Sequence, residues 1–353
     1  MIFFRPQEHC DDFDLVRRNV AWGEPVSLRR PRAALAMTPD LPEPLFGADY
    51  AERFAPAVEL LGSLEDVALE QWEQIEVLIG CWGAPELDAD LLARMPRLRG
   101  MVYAAGSVRG IMTSEAYERG VRISSGADAN AVPVAEFTLA AILLAGKRAF
   151  AIDEEYRRTQ QYRPASTAHE RWGNFGTRVG IIGASRIGRR VIELLAPFDV
   201  EVLVWDPTLQ HDIDGATRVG LDELLSTSDV VSLHAPSLPE TRGMLGEREL
   251  ALVPDGATLI NTARGALIDQ DALVRELNAR RIHAVIDVTE PDVLPAGHPL
   301  FSAPNLTLTP HIAGSQGSEL RRLGDAAFDE LQRFTRGEAF RHDVSESQFA
   351  LLA

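Results

Sequence analysis

The chain has 353 residues, carries 52 Asp+Glu against 35 Lys+Arg, and has a formal net charge of −17. So acidic a surface repels polyanions and anionic bilayers, which excludes nucleic-acid binding and membrane adsorption as main roles. Length beyond a single core of ~250–300 residues implies two domains. Two cysteines, Cys10 and Cys81, are too few for a disulfide framework or a Cys-rich metal site, and no metal is expected. The opening MIFFRPQEHCDDFD has too short an apolar run and too many acids for a secretion signal. The longest apolar stretch, Ala131–Gly146, contains Glu136 and falls short of the ~20 residues of a membrane span. Together these features imply a cytoplasmic protein with reduced thiols.

Residues 1–31 read as an irregular lead-in. Apolar runs at Ala33–Met37, Val77–Cys81 and Gly100–Ala104 then predict buried strands, with helical spacing between them, as in Leu87–Met95. Strand alternating with helix predicts a parallel sheet covered by helices. Ala131–Phe150 is apolar nearly all round and predicts one long helix buried on several sides, in a core or against a second subunit. After a polar, Arg-rich stretch over 154–178, a second series predicts strands at 178–183, 201–205, 229–233, 257–261, 283–287 and 306–309. Helices are expected over 187–195, 221–226, 269–280 and 318–336. Six strands in this rhythm fit a doubly wound dinucleotide fold.

The segment RVGIIGASRIGRRVIELLAPFDVEVLVWDP joins strand, glycine loop, helix and second strand. Gly183 would make the tight turn and Gly188 would let helix pack on strand, with Ser185, Arg186 and Ile187 between them. Free N–H groups at the helix N-terminus would meet a pyrophosphate. Asp206 stands where a carboxylate accepts bonds from both ribose hydroxyls and repels a 2′-phosphate, which favours NAD over NADP. Ser185 replaces the usual second glycine; its Cβ narrows the approach and its hydroxyl can donate to phosphate.

Three later segments each put a polar residue just after an apolar strand: Asn261-Thr-Ala-Arg264-Gly, Asp287-Val-Thr-Glu290-Pro and Thr309-Pro-His311-Ile-Ala-Gly314. Arg264, Glu290 and His311 should therefore collect at the carboxyl edge of the sheet, where open α/β sheets bind ligands. Reduction of a ketone builds negative charge on oxygen and needs a proton donor, and histidine suits that task near neutrality. A carboxylate on its other nitrogen fixes the tautomer, and an arginine grips a carboxylate in two-pronged fashion. These are the parts of a 2-oxo acid reductase.

With His234-Ala-Pro236, these motifs resemble the signatures of the NAD-dependent D-isomer-specific 2-hydroxyacid dehydrogenases, over roughly Ala33 to Arg341. The resemblance implies an α/β protein of two doubly wound parallel-sheet domains, a Rossmann NAD domain (143–314) inserted in a flavodoxin-like substrate domain (1–142 and 315–353). It implies that Arg264 binds the substrate carboxylate and carbonyl, Glu290 supports His311, and His311 is the general acid/base. Gly106 and Ser107 would cradle the carboxylate through backbone N–H groups. Asp287 would contact the nicotinamide carboxamide, near Thr262, Ala263 and Arg264, with His311 and Gly314 also beside the cofactor. His234, Pro236 and Thr241 would line the adenosine side. A homodimer is implied, packed through the helix bearing Val134-Ala-Glu136.

Departures from the family pattern fall on ligand contacts. The usual G-x-G-x-D loop is Ala105-Gly106-Ser107-Val108-Arg109, so Arg109 replaces an acid and could recognise a second acidic group or serve a structural ion pair. Ser125-Gly-Ala127 stands for an Asn-x-Pro turn, with Asn130 retained, and the linker starting at Trp172 is short. The expected reaction is hydride transfer between NAD(H) and a D-2-hydroxy acid/2-oxo acid pair. The alternatives are an NAD(H)-binding regulatory or scaffold protein on the same fold, or another substrate such as 3-phosphoglycerate.

Overall fold

A computed structural model describes residues 29–161 and 173–349. Most of the lead-in, Cys10 and the linker residue Trp172 lie outside the described residues. Five strands form the first sheet: β1 (Arg32–Ala36), β2 (Glu59–Ser63), β3 (Val77–Gly80), β4 (Gly100–Tyr103) and β5 (Arg122–Ser125). Seven form the second: β6 (Thr177–Ile182), β7 (Val200–Trp205), β8 (Thr217–Arg218), β9 (Val230–Leu233), β10 (Thr258–Asn261), β11 (His283–Ile286) and β12 (Leu306–Leu308). The orders are β2-β1-β3-β4-β5 and β12-β11-β10-β9-β6-β7-β8, every pairing parallel. The first is the flavodoxin-like order; the second is the doubly wound dinucleotide order extended by one strand. The expected fold class holds.

The central strands are buried on both faces, as VLIG of β3 and TLIN of β10 show, which is why they read as continuous apolar runs. Strands β2, β5 and β8 escaped the sequence reading. β2 is partly exposed, β8 is two residues of exposed chain, and β5 buries serines rather than an apolar run. The helix Glu247–Leu252 was also missed.

Ala131–Phe150 is not one helix. A 20-residue helix, Ala127–Gly146, is broken from a second, Ala149–Thr159, at Arg148, whose φ is +51°, and the second runs into the polar, Arg-rich stretch. The break has a packing cause. Gly173 N–H donates to the Gly146 carbonyl, and a Cβ on Gly146 would sit 2.0 Å from Asn174 Oδ1, so the returning chain closes the helix end. The 20-residue helix starts four residues earlier than expected and has the length and hydropathy of a membrane span, but it is half buried within the protein. Ala131, Val134, Ala135, Thr138, Ala141, Ile142 and Ala145 are its inward side.

The chain's far end returns to the first sheet. Leu323 and Leu331 of the helix Leu320–Thr335, with Phe340 and Val344 beyond it, join the core formed by residues 33–123. Each such buried side chain contributes roughly 1.5–3 kcal/mol. Gly324 makes the close approach possible, since a Cβ there would lie 1.9 Å from the Leu45 carbonyl oxygen.

Candidate active site

Strand register decides which loops meet. Ile182 pairs with Leu233, Asn261 with Leu233 and Ile286, and Ile286 with Leu308. The residues after these strands, Gly183, His234, Thr262, Asp287 and Thr309, therefore emerge side by side at one carboxyl edge. The first sheet turns its own carboxyl edge to the same place. Asn130, just after β5, accepts from Ser315 N–H (2.9 Å), and Thr138 and Thr262 hydroxyls meet at 2.9 Å. Asp128 in the first turn of the long helix, whose buried face packs on the second sheet, pairs with Arg186 of the glycine loop and with His342 (2.7 Å).

In the glycine loop, Gly183 has φ +94°, and a Cβ there would sit 2.6 Å from Ala235 N. A Cβ on Gly188 would sit 2.0 Å from the Gly183 carbonyl oxygen, so both glycines are required by close backbone approach. Ser185 stands exposed at the start of the helix Arg186–Leu195, and its side chain does not cap it. Asp206 accepts from Ala184 N–H (2.8 Å) and from the Thr208 amide (2.8 Å) and hydroxyl (2.7 Å). Burial pulls its carboxyl upward, but these donors outweigh it and leave it below its ordinary value. A cavity of about 360 Å³ lies between Ala184, Ser185, Arg189, Asp206 and the 208–212 turn. That open space beside a helix N-terminus and an ionised Asp206 suits the phosphate and ribose of NAD.

His234 lies beneath the loop, 5% exposed, with Nε2 2.9 Å from Ser232 Oγ and no hydrogen-bond partner for Nδ1 among the described residues. Desolvation pushes its pKa down to about 3. Thr241 closes the turn after Pro236 by donating to the Pro236 carbonyl (2.6 Å) and accepting from Leu238 N–H (2.8 Å).

Arg264 is shaped by Asn261, which accepts from Ala263 N–H (3.0 Å) and donates to the Arg264 carbonyl (2.8 Å). The half-buried guanidinium donates to the Ala263 carbonyl (2.6 Å). Burial lowers its pKa; Asp292 nearby favours its charge and Arg109 opposes it. Gly265 lets this turn touch the acidic loop, since a Cβ there would lie 2.1 Å from the Thr289 carbonyl carbon.

His311 has φ +56°, a left-handed conformation that costs a non-glycine residue about 1–3 kcal/mol and needs its surroundings to hold it. Asp287 does so. Its backbone carbonyl accepts from His311 N–H (2.8 Å). Its buried carboxylate accepts from Thr309 Oγ1 (2.6 Å), Ile312 N–H (2.8 Å) and Ala313 N–H (2.9 Å). Asp287 is thus engaged by the histidine loop, a role that sequence reading did not assign to it.

The partner of His311 differs from expectation. The carboxylate facing Nδ1 is Asp292, 3.9 Å away, whereas Glu290 forms an ion pair with Arg242. Gln270 holds the Glu290 backbone from both sides, donating to its carbonyl and accepting from its N–H (3.2 Å). Only Pro291 separates the candidates, and an acid followed by proline points the sequence reading to Glu290. Gly106 and Ser107 sit in the loop after β4, with the Ser125 hydroxyl donating to the Gly106 carbonyl (2.6 Å). Gly314 lies against Asn130. Cys81 is buried, its thiol pushed up to about 12 by desolvation, which removes it as a nucleophile. Among the described residues no group of three His, Cys, Asp or Glu could hold a metal.

The edge thus gathers a dinucleotide-type glycine loop, an imidazole and a half-buried guanidinium, the kind of set found in nicotinamide-dependent dehydrogenases. Comparison with known proteins gives the family. Residues 139–313 match the model for the D-isomer specific 2-hydroxyacid dehydrogenase, NAD binding domain. A glyoxylate reductase from Aeropyrum pernix is 32% identical over 309 residues, 81% of this chain and 92% of the relative. A D-3-phosphoglycerate dehydrogenase from Methanocaldococcus jannaschii is 28% identical over 80% of this chain and 54% of its own length. Among solved structures, the TT0316 protein from Thermus thermophilus superposes with a TM-score of 0.70 at 28% identity, covering 89% of this chain and all of that one. The chain belongs to the D-isomer specific 2-hydroxyacid dehydrogenase family: it is an NAD-dependent oxidoreductase acting on the CH–OH group of donors.

Proposed function

We propose that the enzyme interconverts a D-2-hydroxy acid and its 2-oxo acid, with reduction favoured and His311 as general acid/base. The approach of His311 Nδ1 to Asp292 beside half-buried Arg264 carries this reading. When bound, the nicotinamide supplies the hydride that reduces the carbonyl carbon. Arg264 grips the substrate carboxylate and polarises the carbonyl, while Gly106 and Ser107 amides cradle the carboxylate. As charge builds on the carbonyl oxygen, His311 Nε2 delivers a proton to it. Asp292, 3.9 Å from Nδ1, orients the ring. Glu290 acts at one remove, as a positioning residue tied to Arg242. Asp287 sets the His311 loop and keeps acceptor capacity for the carboxamide.

The cofactor is held by Gly183, Ser185, Arg186, Ile187, Gly188 and Asp206, with His234, Pro236 and Thr241 on the adenosine side. The domains divide at 142/143 and 314/315. Dimerisation through the Ala127–Gly146 helix and cytoplasmic residence belong to the same reading, and sedimentation of the purified chain as a monomer would refute the first.

The test is NADH oxidation against glyoxylate, hydroxypyruvate, pyruvate and branched and aromatic 2-oxo acids. His311→Ala should lose about 10²–10⁴-fold in kcat while still binding NADH. Asp292→Asn should lose about tenfold or more and shift the pH profile, with Glu290→Gln affected less. The reverse order would return the supporting role to Glu290, and turnover by His311→Ala would remove the histidine from proton transfer. NADH binding with no turnover across the panel would favour the regulatory alternative.

A further inference from the structure

The substrate side of the cleft carries a cation that the proposed chemistry does not use. Strands β1, β3 and β4 are neighbours in the first sheet, so the residues after them, Thr38, Trp82 and Arg109, line one carboxyl edge. Thr38 N–H donates to the Trp82 carbonyl (3.0 Å), which fixes two of these loops together. The third loop reaches the histidine segment through Asn130, which lies against Gly106 on one side and bonds Ser315 on the other. Trp82 is 42% exposed, and Arg109 is exposed with no ion pair to any described carboxylate.

Arg109 also acts on Arg264: it is the like charge that opposes Arg264's protonation, with Asp292 the offsetting acid. Asp292 offsets Arg264 more than Arg109 opposes it, so the exposed Arg109 guanidinium is the charge left at this edge for a further anion. Arg109 stands where the related loop pattern carries an acid, so the charge at this point of the cleft is reversed.

Resting on the 2-oxo acid reading above, we propose that the substrate bears a second anionic group on its C2 substituent and that Arg109 binds this group, with Trp82 as the apolar wall beside it. Arg109 is a specificity residue: it selects which acid enters, while Arg264 and His311 act on the part common to all of them. The shared chemistry is a carboxylate or a phosphate.

The experiment compares kcat/KM for NADH-dependent reduction of oxaloacetate and 2-oxoglutarate, of 3-phosphooxypyruvate, and of pyruvate and 2-oxobutyrate, in the full chain. The wild type should favour a dianionic acid over its monoanionic analogue by about tenfold or more, and the preference should shrink as salt rises. The carboxylate and phosphate arms identify which anion is selected. Arg109→Ala should collapse the ratio, Arg109→Lys should retain most of it, and Arg109→Glu should invert it. A wild type that prefers monoanionic acids, or a ratio unchanged in Arg109→Ala, overturns the proposal while leaving the reductase reading intact. No turnover with any 2-oxo acid overturns the reductase reading itself, and this inference with it.

Discussion

Asp287 shows how one side chain sets the chemistry of another. Its carboxylate takes three donors from the segment carrying His311, and its carbonyl takes a fourth from His311 itself. Asp287→Ala would leave the buried Ala313 amide, and the part-buried Ile312 amide and Thr309 hydroxyl, without this partner, at about 1–3 kcal/mol for a group left buried and unsatisfied. Thermal unfolding should therefore shift down by several degrees, and kcat should fall with it as His311 leaves its left-handed conformation. If kcat stays within about threefold of wild type, the loop is held by something other than this carboxylate. Sequence alone placed Arg264, His311 and Asp287 at this edge, because each comes within three residues of the end of a strand. It did not separate Glu290 from Asp292. Both are acids on one short loop, and only the path of the chain past Gln270 and Arg242 turns Asp292 toward the imidazole.

Among the elements, the strand–glycine loop–helix unit is where local sequence and packing agree most closely. Gly188 buries its missing side chain against the Gly183 carbonyl, so Gly188→Ala must push helix from strand. Overpacking of this kind costs about 1–3 kcal/mol, and it displaces the N–H groups that face the pyrophosphate. NADH affinity, read by fluorescence titration, should drop by about tenfold or more. Gly220→Ala is the matched control, since a Cβ there meets nothing within 4 Å and φ is −73°. Equal affinities in the two variants would mean that the loop tolerates the shift. Elements were legible where periodicity is strong, as in β6, β10 and the helix Arg186–Leu195. They were not legible where the determinant is distant: β5 lies in a sheet because its neighbours bury it, and the long helix stops because Gly173 and Asn174 return to cap it.

For the molecule as a whole, acid stability carries the mark of the buried His234. Its folded pKa is about 3, against about 6.5 when unfolded, so between these values the unfolded chain binds the extra proton. Stability due to this group is full above pH ~6.5 and falls by about 1.4 kcal/mol per unit below it, down to pH ~3. Urea unfolding between pH 5 and 6.5, above the range where ordinary carboxylates titrate, should show this slope, and His234→Gln should flatten it. An unchanged slope in the variant would place the acid sensitivity elsewhere.

Local sequence was enough for the class of the fold, the cofactor loop, and the histidine and arginine of the candidate site. Each of these rests on facts a few residues wide: an apolar run long enough to be a strand, glycines where no Cβ fits, and a polar residue at the strand's end. Packing settled which acid meets the histidine, where the long helix breaks, and which loops of the two sheets meet. Those depend on contacts between segments far apart in the chain, such as Asn130 with Ser315, and such contacts are set by tertiary packing rather than by any neighbouring residue.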